Sequence, residues 1–125
     1  MTFKIPSKQR QFYLVQIERV LAAKKLFLKQ DFSMPELAEE TGIPLHIISY
    51  TINSELNVRF NDFINLKRIE YFKQNSKGPL WKDLTVKEMA ENSGFKCRTT
   101  FYRAFIKHLQ LTPAQYIESY RKSLT

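Results

Sequence analysis

The sequence predicts an all-α fold in which two helix-turn-helix subdomains are joined by a long bridging helix. Two observations carry that expectation. A single pattern of residues occurs twice, as Ser33-x-x-Glu36-Leu37-Ala38-Glu39-x-x-Gly42 and as Thr85-x-x-Glu88-Met89-Ala90-Glu91-x-x-Gly94. Apolar residues also recur at helical spacing through most of the chain, with no strand alternation of useful length. The copies lie 52 residues apart up to the glycines and 53 beyond them, pairing Ile48 with Phe101, Ile52 with Phe105, Leu56 with Leu109, Phe63 with Tyr116 and Arg68 with Arg121. One residue is therefore inserted in the second turn. Such a repeat is two copies of one supersecondary unit, and helix, glycine turn and second helix is a unit that many proteins use to seat a helix in the DNA major groove.

Taken in order, residues 1–6 have no clear period and read as a loosely held start. Over residues 7–30, Leu14, Ile17, Val20, Leu21 and Leu28 recur at helical spacing, which predicts one long amphipathic helix covering the first repeat. Ser33 and Glu36 then form the expected capping box of the next helix, with Pro35 in its first turn, and Thr85 and Glu88 form the same box in the second copy. Leu37, Ala38, Met89 and Ala90 are expected to face inward, and Gly42 and Gly94 to supply the left-handed turn. Residues 45–54 and 98–109 are the second helices, with Ile48 and Ile52, or Phe101 and Phe105, on the buried stripe. A further helix is expected over residues 61–75, with Phe63, Ile64, Ile69 and Phe72 inward and Lys67, Arg68 and Lys73 outward. Residues 76–79 break it and residues 80–83, with Trp81, connect to the second copy. Thr112-Pro113 caps and opens a last helix that runs to about residue 123. The implied organisation is a lead-in over 1–15, a first helix-turn-helix subdomain over 16–60, the bridge over 61–75 and a second subdomain over 76–125.

Composition narrows the partner. A chain of 125 residues has room for one ordinary domain or for two very small subdomains that lean on something shared. A formal charge of +8 favours a polyanionic partner, because neutralising phosphates releases counterions, although a basic surface also serves solubility. Cys97 is the only cysteine, which excludes an intramolecular disulfide and a four-thiolate zinc site and fits a reducing cytoplasm. Glu18, Arg19, Lys24 and Lys25 interrupt the apolar stretch over residues 12–28, so neither a membrane span nor a signal segment is expected. There is no Gly-rich phosphate loop, no Ser/His/Asp set and no cluster of carboxylates beyond the helix-start glutamates, so no enzyme and no cofactor are expected. His46, Cys97 and His108 fall in different helices at unrelated positions and do not read as a metal site.

Gly94-Phe95-Lys96-Cys97-Arg98-Thr99-Thr100-Phe101-Tyr102-Arg103-Ala104-Phe105, followed by Leu111-Thr112-Pro113-Ala114-Gln115-Tyr116, resembles the signature of the AraC/XylS family of bacterial transcription regulators. Leu37-Ala38 with Gly42, Ser49, Asn53 and Phe63-Ile64-Asn65-x-x-Arg68-Ile69 is similar to the family's first half, so the resemblance covers roughly residues 15–122. It implies two homeodomain-like helix-turn-helix subdomains on a rigid bridge, with both recognition helices in successive major-groove segments of double-stranded DNA. One chain then carries both readers and its site need not be palindromic. Four positions depart from the family pattern: Pro44 and Cys97 stand where capping residues are usual, Gln110 replaces a tail glycine, and Asn57 sits at its equivalent in the first copy.

The resemblance assigns base reading to His46, Ser49 and Tyr50 in the first recognition helix and to Arg98, Thr99, Thr100 and Arg103 in the second. An arginine grips guanine with two hydrogen bonds and a threonine methyl meets thymine. Asn53 bonds adenine or a phosphate, and Arg59, Lys67, Lys96 and Lys107 are candidates for the DNA backbone. Tyr102 is a further candidate for sugar and phosphate. The first recognition helix holds no arginine or lysine, so its share of specificity is expected to be the weaker. RNA polymerase is a second candidate partner. A sensor or dimerisation domain is expected outside this chain, which reads as the output domain of a longer protein in preference to a small stand-alone regulator, in the bacterial cytoplasm, at the nucleoid when bound. The competing reading is a basic helical protein-interaction or membrane-surface module, distinguished by a weak response to salt.

Overall fold

A computed structural model describes residues 4–123, with side chains through residue 120. Residues 1–3 of the expected loose start lie outside the described residues, as does the side chain of Arg121, which the repeat pairs with Arg68. Among the described residues are seven α-helices, two single 3-10 turns and no strand: α1 Ser7–Lys24, α2 Met34–Thr41, α3 Leu45–Leu56, α4 Phe60–Ser76, α5 Val86–Asn92, α6 Arg98–Leu109 and α7 Pro113–Ser123. The chain divides into two compact units. The first is Met1–Leu26 with Phe32–Phe63, and the second is Phe27–Asp31 with Ile64–Thr125.

In the first unit α1, α2 and α3 pack on one another around an aliphatic centre of Ile17, Leu21, Leu37, Ile48 and Ile52, all essentially inaccessible to water. The helix expected over residues 7–30 stops at Lys24. Lys25 adopts a left-handed conformation (φ 49°), donates its amide to the Leu21 carbonyl and hands over to a 3-10 turn, Leu26–Leu28, that buries Phe27. A left-handed residue cannot propagate a right-handed helix, and neither glycine nor proline marks the stop. The start is also firmer than expected. Ile5 is buried and its carbonyl accepts from Arg10 Nη1 at 2.8 Å, while Arg10 Nε donates to Glu55 Oε1 on α3 at 2.7 Å.

The helix starts of the two copies differ. Thr85 Oγ1 accepts from the Glu88 amide at 3.1 Å and Glu88 Oε1 accepts from the Thr85 amide at 2.9 Å, which is the expected box. Ser33 caps α2 by its backbone alone, and its hydroxyl makes no capping bond. Pro35 occupies the second helical position and removes one of the two amides that such a hydroxyl accepts from. The helix ends are shared: Thr41 Oγ1 donates to the Leu37 carbonyl at 2.7 Å and Ser93 Oγ to the Met89 carbonyl at 2.8 Å, at equivalent places.

Both turn glycines have positive φ, 72° for Gly42 and 99° for Gly94, but for different reasons. Around Gly42 there is open space. At Gly94 a β-carbon would lie 2.3 Å from the Phe27 carbonyl oxygen and 2.8 Å from Arg68 Nε, so only glycine lets the segment Phe27–Asp31 pass there.

That crowding explains a correction. Arg68 was expected to point outward from the bridging helix, whereas it is buried, and burial lowers its pKa. Its guanidinium donates from Nε to the Phe27 carbonyl at 2.7 Å, from Nη2 to the Lys29 carbonyl at 2.9 Å and from Nη1 to Asn65 Oδ1 at 3.3 Å, and it lies 5.8 Å from the Phe95 ring centroid. A buried guanidinium is tolerable when its donors are satisfied in this way. Phe63, Ile64, Ile69 and Phe72 are buried as expected, and Lys67 and Lys73 are half-buried.

The second unit has an aromatic centre. Phe72 of α4 lies 5.3 Å from Phe101, 5.4 Å from Phe105 and 6.4 Å from Trp81 by ring centroids, and Phe95 lies 5.1 Å from Phe101. The Phe72–Phe105, Phe72–Trp81 and Phe95–Phe101 pairs are edge-to-face, and such pairs add about 0.5–1.5 kcal/mol each beyond the area they bury. Trp81 reaches this cluster from the 3-10 turn Pro79–Trp81. Thr112 and Gln115 exchange hydrogen bonds at 3.1 and 2.8 Å to start α7.

Candidate nucleic-acid interface

Each unit presents the outer face of its second helix to solvent, and the residue pattern dictates which face that is. On α3 the buried stripe is Ile48, Thr51 and Ile52, which leaves His46, Ser49 and Asn53 exposed and Tyr50 half-buried on the opposite side. On α6 the stripe is Phe101, Ala104 and Phe105, and Arg98, Thr99, Thr100 and Arg103 are all exposed. The apolar period therefore fixes the register of both polar faces.

Neither helix start is capped by a side-chain hydrogen bond, as the departures at Pro44 and Cys97 imply. Pro44 substitutes a fixed backbone, its carbonyl accepting from the Ile47 and Ile48 amides at 3.0 and 3.1 Å. Cys97 leaves an exposed thiol at the first turn of α6, where the Thr100 and Thr99 amides favour the thiolate and lower its pKa. Asn57 and Gln110 close the two helices in the same left-handed conformation, φ 55° and 54°, and donate to the carbonyls of Asn53 and Ile106.

Arg98 and Tyr50, among the candidate base readers, lie against identifiable neighbours. Arg98 lies with its guanidinium 5.7 Å from the Tyr102 ring centroid, which restrains a long side chain without occupying its hydrogen-bond donors. Tyr50 lies beside Arg10, whose pKa is raised chiefly by the Glu55 hydrogen bond and to a smaller degree by Tyr50. Arg10 was not singled out from the sequence, because nothing along the chain links a residue of α1 to the face of α3.

The offset of 53 residues carries a second point that the sequence reading missed. It pairs His46 with Thr99, Ser49 with Tyr102, Tyr50 with Arg103 and Asn53 with Ile106. Ile106 is 45% exposed on the polar face of α6 and is thus an apolar member of that face rather than of the core. Arg98 and Thr100 flank this quartet.

The backbone candidates are divided between the units. Arg59, between α3 and α4, is exposed in the first unit together with Asn53. Lys96 and Lys107 are exposed and Lys67 half-buried in the second. Among the described residues neither Lys96, Arg98 nor Arg103 is paired with a carboxylate, so their charge is available to an anionic partner. No described helix is long and apolar enough to cross a membrane.

A family profile described as "Helix-turn-helix domain" matches residues 37–119, which takes in the first copy of the repeat from Leu37 onward and the whole of the second. An uncharacterised HTH-type transcriptional regulator of Staphylococcus aureus (strain COL) is 30% identical over 101 residues, covering 81% of this chain and 13% of the relative. The uncharacterised HTH-type transcriptional regulator YijO of Escherichia coli (strain K12) is 32% identical over 89 residues, 71% of this chain and 30% of the relative. This chain thus spans only a small part of the length of these relatives. Among solved structures, the C-terminal domain of the two-component response regulator YesN from Fusobacterium nucleatum superposes with a TM-score of 0.64 at 25% identity, covering 81% of this chain and 93% of that one. The C-terminal domain of AraT, a response regulator from Geobacillus stearothermophilus, shares the fold with a TM-score of 0.66 at 24% identity over 83% of this chain and 84% of that one. The chain belongs to the AraC-type family of helix-turn-helix transcription regulators.

Proposed function

We propose that this chain is the sequence-specific double-stranded DNA-binding module of an AraC-type regulator, with α3 and α6 each entering a major-groove segment, successive along the duplex. One observation carries the reading: the two copies leave the same face of their second helix open, at the same register, while burying the other. Arg103 and Arg98 take guanine by paired hydrogen bonds, Thr99 and Thr100 meet thymine or a hydroxyl acceptor, and His46, Ser49 and Tyr50 read the other segment. Asn53, Arg59, Lys67, Lys96 and Lys107 hold the phosphates and set the register. The exposed Ile106 supports an additional apolar contact to a thymine methyl. RNA polymerase is the partner through which binding acts on transcription, in the bacterial cytoplasm. Signal sensing resides in other parts of the protein, in keeping with the small share of its relatives that this chain matches.

The test is fluorescence anisotropy with labelled random duplexes across a salt series, followed by selection from a random pool. A steep loss of affinity with salt and an enriched motif are expected, and each of the four basic backbone residues removed should lower the log–log salt slope by about 0.9. The exposed Phe12 and Val15 of α1, 59% and 52% accessible, favour the rival reading of a protein-docking module. Binding that ignores salt and enriches no motif would support that rival.

A further inference from the structure

A cleft of about 590 Å³ opens in the second unit beside the start of α6. Its apolar surface is that of the half-buried Val86 and Tyr102 and the exposed Ala114, lying above the buried Ala90, Phe95 and Phe101, and its mouth carries the exposed Lys96 and Arg98. Lys87 at the same mouth stands 4.0 Å from Glu91, so the unbalanced charge is that of Lys96 and Arg98, which have no carboxylate partner among the described residues. The volume falls in the range of small-molecule sites, about 300–1,000 Å³, and the pairing of an apolar surface with convergent cations selects the chemistry of the occupant. A neutral apolar molecule would leave the cations unused, and a simple inorganic anion would leave the apolar surface wet.

We propose that this cleft binds a small amphipathic organic anion, a flat apolar body bearing a carboxylate or sulfonate, and that the bound anion competes with DNA. The apolar body lies against Val86, Tyr102 and Ala114 and the acidic group meets Lys96 and Arg98. Competition follows because Arg98 and Lys96, and Tyr102 which also lines the cleft, are groups that the DNA-binding reading uses. This second half rests on that reading, whereas the first does not.

The probe is 8-anilinonaphthalene-1-sulfonate, whose fluorescence rises on leaving water. The expected result is saturable binding of one probe per chain and a rate of Cys97 alkylation by iodoacetamide slowed about tenfold at saturation, since Cys97 lines the cleft and is the only thiol. Ala114→Trp, which fills the cleft from an exposed position of α7, and Lys96→Glu, which reverses charge at its mouth, should each weaken the probe about tenfold or more. Leu80→Ser removes the most exposed apolar side chain, 91% accessible and outside the cleft, and should leave probe binding unchanged. Unslowed alkylation, wild-type affinity in Ala114→Trp with native circular dichroism, or loss of binding in Leu80→Ser would each overturn the cleft as the site. Duplex DNA should displace the probe. A chain that binds both together overturns the competition, while a chain that binds probe at the cleft but never DNA supports the site and counts against the DNA-binding reading.

Discussion

The two helix-turn-helix copies share a plan and differ in almost every side chain that fills it. The first is packed with Ile17, Leu21, Leu37, Ile48 and Ile52, the second with Phe72, Phe95, Phe101, Phe105 and Trp81. The first turns through a glycine in open space, the second through one crossed by a neighbouring carbonyl. The first leaves its serine cap unused and the second completes a capping box. What the repeat holds constant is register: which positions of the second helix are buried, and hence which face is free. Packing volume, turn environment and the side chains of the free face have all diverged within that constraint.

The comparison can be broken most forcefully at the cores. Phe105→Ala should destabilise by about 3–5 kcal/mol, and the equivalent Ile52→Ala by about 2–4 kcal/mol, because only the phenylalanine also loses edge-to-face partners. Urea denaturation measures both, and equal losses would remove the distinction between aromatic and aliphatic centres. The turns come next. Gly94→Ala is expected to cost about 2–4 kcal/mol, from the overlap with the Phe27 carbonyl added to the strain of positive φ, and Gly42→Ala about 1–2 kcal/mol from strain alone. A Gly42 variant as damaging as the Gly94 variant would contradict the account of the second turn.

Smaller effects sharpen the contrast at the helix starts. Thr85→Ala should cost about 1 kcal/mol and Ser33→Ala only about 0.3 kcal/mol, since only the threonine hydroxyl is engaged. Glu88 adds a pH signature. The Thr85 amide and hydroxyl hold its carboxyl below the ordinary value, so its contribution is present above the unfolded-state pKa and is lost as pH falls through the lowered folded value. Stability measured against pH in the acid range should therefore fall less steeply in Glu88→Gln than in the parent chain. An unchanged profile would mean that the box does not act through the carboxylate.

Most of the fold was legible because it is written in local signals: glycine turns, a threonine box, a proline-started last helix and a stripe every three to four residues. What escaped depends on distant partners. Arg68 sits among charged neighbours on α4 and reads as outward, yet its guanidinium is taken by carbonyls 39 and 41 residues away. The end of α1 at Lys24 carries no sequence mark, because a lysine holds the left-handed conformation that glycine usually supplies. Ser33 matched the box pattern, but the match ignored that Pro35 withdraws an amide. At the candidate interface the polar residues off the core were visible as those left over from the stripe. Ile106 was not, because an apolar residue on a helix is read as core until the face it occupies is seen.

The central claim is that two helices of one register read DNA with unequal chemistry. It is tested most directly by titrating a duplex carrying the selected motif with Arg103→Ala and His46→Ala, and repeating each titration with the motif substituted one base pair at a time. Arg103→Ala should lose about 1–3 kcal/mol of binding and become indifferent to one guanine position, while His46→Ala loses less than about 1 kcal/mol. Equal or reversed losses, or base preferences untouched by Arg103→Ala, would contradict it.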